Sequence, residues 1–249
     1  MPRLLIPAMD SEPREEPMRL GVIACTALKP ELERLLAPLP EVSRVIYLEA
    51  ALHNHPQNMR QRLKAEIRAL APLVDAIFLG YGFCRSLRGL EREFDVPVIL
   101  PQIDDCISLL LTPQRHAEEI RREAGTWFMP PGYAEVSAQM VIEALNLDRL
   151  ARHGKDPMAM ARRLFTHYRR GLFIDTGVGD RQALLAGARR FCEDFNLTLE
   201  TTTANTRLLE FWLGKARAAA AQAAKGRRAG QSAAGKDGPA LPGVGDVSF

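Results

Sequence analysis

Short apolar, β-branched runs alternate along the first half of the chain with stretches whose apolar positions recur at helical spacing. Residues 20–24 (LGVIA), 45–48 (VIYL), 76–79 (AIFL) and 96–100 (VPVIL) read as buried strands. The segment from Glu31 (ELERLLAPL), with Pro30 in its first turn, reads as an amphipathic helix, and so do residues 58–70, with Met59, Leu63, Ile67 and Leu70 on one face. A further helical stretch around 87–94 joins the third run to the fourth. Strand-helix-strand units give parallel strands whose carboxyl ends share one edge of the sheet. The pattern continues more loosely beyond. GTWFMPPGY (125–133) reads as a short strand and turn, residues 172–175 and 197–203 as strands, and 107–111, 135–150, 157–168, 182–195 and the chain from 207 as helical. The expectation is an α/β fold, an open and mostly parallel sheet flanked by helices, as one body or as two lobes with a junction near 113–135. Residues 1–17 read as a flexible leader and 18–214 as the α/β domain. Residues 215–249, poor in large apolar side chains, read as a disordered tail.

Composition narrows the class without naming a function. The 249 residues, 47% apolar and 25% charged, are ordinary for a globular chain that can bury a substantial core. The net charge of +3 owes part of its excess to the last thirty residues; with few aromatics and no recognisable module, nucleic-acid binding is not expected. No apolar run approaches the length of a membrane span, and the N-terminal apolar patch is broken by Pro7 and acidic residues, unlike a signal peptide. Four cysteines without a C-x-x-C pair fit a reducing, cytoplasmic setting better than a disulfide framework.

The candidate chemistry lies at the strand ends. Cys25 closes the first run, His53 follows the second, Cys84 follows the third through Gly80-Tyr81-Gly82-Phe83, and Cys106 follows the fourth through Asp104-Asp105. A parallel sheet would gather these on one rim, where open α/β sheets bind ligands. Three thiols and an imidazole suit tetrahedral zinc or iron. The bland reading is that each cysteine is inert core, because free cysteine is among the most buried residue types. Cys192, mid-helix beside Phe191, is read that way, and His116, His153 and His167 as solvated. His55 can replace or assist His53, with Asn54 between them. Asp104 and Asp105 serve as helix caps or as acceptors behind the ligands. A helix starting at Asp105 would favour the Cys106 thiolate. The G-Y-G pair is half a dinucleotide signature and reads as turn glycines that let the backbone approach a ligand or let Cys84 turn inward. Thr176-Gly177-Val178-Gly179-Asp180, ahead of a helix, offers a possible anion cradle or an ordinary turn.

VIACTALKPEL (22–32), LEAALHNHP (48–56), LGYGFC (79–84), LPQIDDCISLLL (100–111) and GTWFMPPGY, in this order, resemble the domain-of-unknown-function family 1638 over residues 19–213. Family features matched are the cysteine at Cys25, the L-H-N-x-P at Leu52 to Pro56, the G-Y-G-x-C at Gly80 to Cys84 and the D-C at Asp105-Cys106. A basic residue and a histidine, frequent in the family's P-R-x-H-D-C, are replaced here by Gln102 and Asp104. The resemblance implies an association with corrinoid-dependent methyltransferase components, hence contact with a corrinoid protein and a part in one-carbon metabolism. Three functions follow as expectations. The chain is a metal protein with a Cys-rich site acting in or supporting corrinoid-linked methyl transfer, a non-catalytic accessory or cofactor-delivery protein, or a cysteine-nucleophile enzyme with His53 as base.

Overall fold

The structure, a computed structural model, describes residues 17–49, 52, 56–83, 85–133 and 136–234. The chain is α/β, every strand pairing among the described residues is parallel, and the strands form two sheets. The first contains β1 (Leu20–Cys25), β2 (Val42–Leu48), β3 (Ala76–Gly80) and β4 (Val98–Ile99) in the order β2-β1-β3-β4. The second contains β5 (Thr126–Met129), β6 (Arg170–Asp175) and β7 (Thr198–Thr203), in that order.

Period-two alternation sorts the first sheet's side chains. Leu20, Val22, Ala24 and Phe78 enter one core, while Ile23, Cys25, Ile77, Leu79 and Tyr81 enter the other. The central strands β1 and β3 are buried on both faces, which explains their unbroken apolar runs. Helix α1 (Lys29–Leu36) supplies Leu28, just before it, and Leu32 to the first core; α2 (Pro56–Leu70) covers the second with the four apolar residues its periodicity predicts. Short α3 (Ser108–Leu111) and α4 (Pro113–Arg122) lead to the second sheet, whose own core stacks Trp127, Phe165, Phe191 and Phe195 between α5 (Ala138–Ala144), α6 (Pro157–Leu164) and α7 (Arg181–Phe195).

Several expectations are corrected. The helix around 87–94 is two 3₁₀ turns, Arg85–Leu87 and Leu90–Arg92, separated by Gly89 in the left-handed region at φ 74°, which ends the first turn. The predicted helix over 135–150 shortens to α5, followed by a 3₁₀ segment, Leu147–His153. The supposed tail from 215 is helical through residue 234. Helix α8 (Arg207–Ala234) places Leu209, Leu213, Ala216, Ala220 and Ala224 in buried positions along one stripe, so small side chains pack by close approach where large ones were looked for. Its far end is tied down by Arg227, whose guanidinium donates to both Asp75 carboxylate oxygens at 3.0 and 3.2 Å. Residues 1–16 and 235–249, the rest of the leader and tail, lie outside the described residues.

Candidate functional site

In the order β2-β1-β3-β4 the chain winds to one side of β1 and then to the other, so the switch point falls between β1 and β3. The crevice beyond their carboxyl ends is where such sheets bind ligands. Cys25 is the last residue of β1 and Tyr81 the first beyond β3. Both point to the same face, and both are buried.

The fourth predicted arm completes this corner. After β4 the chain runs through Leu100 to Cys106, and Gly82 is why it can reach the β3 turn: a Cβ there would stand 2.5–2.7 Å from backbone atoms of Asp105. The glycine thus lets two stretches of protein backbone come together. Phe83 N–H donates to the Ile103 carbonyl across the same contact. The result is a pair of free thiols, Cys25 and Cys106, placed closely enough to shift each other's protonation.

The pair is asymmetric. Cys25 is held below the ordinary thiol range, first by the Cys106 hydrogen bond and then, against the cost of burial, by the Ala27 N–H at 3.5 Å and the Tyr133 hydroxyl. Cys106, a free thiol like Cys25, is pushed well above that range by its interaction with the Cys25 thiol, by burial, and by the charges of Cys25 and Asp105. The expected helix-start effect on Cys106 is therefore reversed. The helix, α3, begins only at Ser108, and Asp105 places its carboxylate on the Ile107 N–H at 2.7 Å, a local cap that adds negative charge beside the thiol. The two shifts run in opposite directions, with Cys25 the more acidic thiol of the pair.

Tyr133 was missed as a site residue, although it lies in the GTWFMPPGY motif. It comes from the second sheet, from the 3₁₀ turn Pro131–Tyr133 beyond β5. Gly132 makes the approach possible, since a Cβ there would lie 2.4 Å from the Thr26 carbonyl and 2.6 Å from that of Ala27. Burial, followed by the charges of the two cysteines, raises the Tyr133 hydroxyl, and raises that of Tyr81 likewise, so both stay protonated donors. The Tyr81 hydroxyl is buried without a hydrogen-bond partner among the described residues.

A second missed group sits on the same seam. Glu31 opens α1 and reads from sequence as a solvated helix residue, yet it is fully buried. One oxygen accepts from Thr176 Oγ1, just beyond β6, at 2.7 Å; the other has no partner among the described residues. Burial raises its carboxyl above the usual range despite the Thr176 bond and the nearby Arg34. A buried glutamate with one satisfied oxygen is invisible to periodicity, because only the second sheet supplies its cover.

The remaining predicted residues divide cleanly. Gly80 packs against Ala24, where an added Cβ would stand 2.6 Å from the alanine's. Asp104 is exposed. His53, Asn54, His55 and Cys84 lie outside the described residues. Among the described residues no three His, Cys, Asp or Glu side chains are grouped closely enough to hold a metal ion. The two described donors do fit the chemistry of a soft metal: adjacent sulfurs, one poised as thiolate. Cys192 is core, its thiol raised to about 11 by burial. His116 is not simply solvated, since Nδ1 lies 3.0 Å from Ser108 Oγ and the ring meets Phe128 edge-on. At the Thr176–Asp180 turn Asp175 takes the Gly177 N–H, and Asp180 caps the following helix by accepting from Gln182 and Ala183. A surface cleft of about 640 Å³ opens between the carboxyl ends of α6 and α7, and none of its lining residues belongs to the thiol site.

The family model described as "Protein of unknown function (DUF1638)" matches residues 47–213. The chain belongs to this family. Neither the curated proteins nor the solved structures compared with it gave a match. Within DUF1638 the matched span begins in β2 and ends in α8, so it takes in Cys106, Tyr133 and Thr176 but starts beyond Cys25 and Glu31. No helix among the described residues is long and apolar enough to cross a membrane.

Proposed function

We propose that this DUF1638 protein is a thiol-centred metal protein in which Cys25 and Cys106, completed by His53 and Cys84, bind zinc or iron, and that it acts in or supports corrinoid-linked methyl transfer. The observation that carries the reading is the buried Cys25 sulfur at the switch point of a parallel sheet, accepting from the Ala27 N–H, with the Cys106 thiol and the Tyr133 hydroxyl beside it. A thiolate prepared in this way is what a soft metal requires of a ligand. Zinc, when bound, supplies Lewis-acid chemistry and keeps a substrate thiol deprotonated at neutral pH. In this reading the Ala27 N–H and Tyr133 hydroxyl orient Cys25, and the Tyr81 hydroxyl is a spare buried donor for a bound group. Contact with a corrinoid protein rests on the family association alone.

The asymmetry of the pair favours one alternative, a Cys25 nucleophile with His53 as base and Cys106 as a positioning donor. Elemental analysis of protein purified anaerobically without chelator separates the two, alongside Cys25→Ser, Cys106→Ser, Cys84→Ser and His53→Ala. Stoichiometric zinc or iron, lost in each variant, is the expected result. Folded wild-type protein without metal, in which one thiol alone is alkylated at neutral pH, overturns the metal reading in favour of the nucleophile. A stable complex with a methyltransferase component, but no metal and no reactive thiol, leaves the accessory role.

A further inference from the structure

The buried thiolate lies at a seam between two halves that the chain joins only twice. Residues 17–111 and α8 build the first sheet's half, and residues 113–203 build the second's. The crossings occur at Thr112 and around Asn205. They lie side by side: the Asn205 N–H donates to the Leu110 carbonyl at 3.4 Å, and Arg115, just past the first crossing, donates to Thr203 O and Thr202 Oγ1 at 2.9 Å each. Two adjacent crossings have the geometry of a hinge axis. Thr112, exposed on that axis, holds φ 69° and ψ 151°, a conformation normally left to glycine.

At the carboxyl rim the seam is closed by few polar ties. Tyr133 reaches Cys25, Gly132 rests on the Thr26 and Ala27 carbonyls, and Thr176 donates to Glu31. Ile174 adds an apolar contribution to the core that Leu28 and Leu32 share. Cys25 is only 4% exposed in this closed arrangement, so nothing from solution reaches its sulfur without movement.

We propose that the 113–203 half swings about the Thr112–Asn205 axis, and that the Thr176–Glu31 hydrogen bond is the latch that holds the seam shut over Cys25. Opening admits a metal ion or a thiol-reactive substrate, and closure sets Tyr133 and Thr176 in place behind it. The inference rests on the reading of Cys25 as the working centre, whether as ligand or as nucleophile.

Cys192 provides an internal control, because it is 2% exposed inside the second half's own core and is uncovered by unfolding but not by hinge opening. The test is N-ethylmaleimide labelling of the full chain with chelator present, at substoichiometric reagent so that first modifications are counted, with each cysteine followed by peptide mass spectrometry. Thr176→Val should accelerate Cys25 labelling at least about fivefold over wild type and leave Cys192 unchanged, whereas Glu31→Gln, which keeps an acceptor for Thr176, should stay near the wild-type rate. Arg115→Ala, which loosens the axis at a less buried site, should accelerate Cys25 in the same selective way and serves if Thr176→Val does not fold. Equal acceleration of Cys25 and Cys192 would mean that access comes from global unfolding, and unchanged Cys25 labelling in both variants would mean that the seam is no gate. Either result overturns the hinge. Metal content, measured on chelator-free samples, is a separate readout: gating without metal sinks the metal reading and leaves the hinge standing.

Discussion

The carboxyl rims of the two sheets start from similar material and end differently. Both sheets are parallel, and each has a central strand that runs out into a short polar or glycine-bearing turn before a helix. In the second, Asp175 and Asp180 satisfy the turn from within, taking the N–H groups of Gly177, Gln182 and Ala183, while Arg181 pairs with Asp175 at 2.6 Å. In the first, Cys25 accepts from the Ala27 N–H and is perturbed by Cys106 and Tyr133 from two distant segments, while the Tyr81 hydroxyl and one oxygen of Glu31 are buried with no partner among the described residues. A strand-end turn that caps itself is structural, whereas one whose polar groups are buried by distant segments has capacity left for chemistry.

Four substitutions break or sharpen that contrast. The largest effect is expected from Phe191→Ala, which empties the aromatic core of the second half and should cost about 4 kcal/mol in urea unfolding. If the halves are distinct below the seam, hydrogen exchange should quicken in β6 and α7 before it does in β1 and β3. Uniform quickening would show one cooperative body. Gly132→Ala comes next, at about 2 kcal/mol, because the added carbon would press on backbone carbonyls that cannot move aside. The first rim should also lose its Tyr133 donor, moving Cys25 thiolate absorbance to higher pH.

Asp180→Ala should cost about 1 kcal/mol, the worth of a lost helix cap, and leave thiol titration untouched. A shift in Cys25 there would contradict the independence of the second rim. Smallest in stability and sharpest in chemistry is the titration itself. Wild-type Cys25 should form thiolate below the ordinary thiol range, and Cys106→Ala, by removing the largest stabilising contact, should move that transition upward. Because the folded value lies below the unfolded one, the thiolate stabilises the fold fully above the unfolded thiol range. That contribution disappears as pH falls through the folded value.

Much of the fold was legible from spacing. The strand pattern located the strands of the described residues, and Met59, Leu63, Ile67 and Leu70 mark the buried face of α2. The errors have physical causes. Helix α8 continues past residue 214 on alanines, whose small side chains bury well against a sheet yet look too poor in apolar bulk to pack. The stretch 87–94 has helical composition, but Gly89, in the left-handed region, interrupts it and leaves two 3₁₀ turns. At the site, the position of Cys25 at a strand end was readable because β1 is continuous and Cys25 closes it. Which cysteine carries the charge was not, because the answer depends on donors 81 and 108 residues away along the chain, Cys106 and Tyr133.

The sequence alone determined the alternation of strands and helices, the parallel pairing that follows from it, and the delivery of thiols to strand ends, since these depend on local periodicity and on the handedness of short connections. Only the tertiary structure decided that the strands split into two sheets, that Tyr133 and Thr176 cross between them, and that Glu31 and Cys25 are sealed beneath. Burial and hydrogen-bond partnership belong to pairs of segments distant in the chain, and no single segment carries that information.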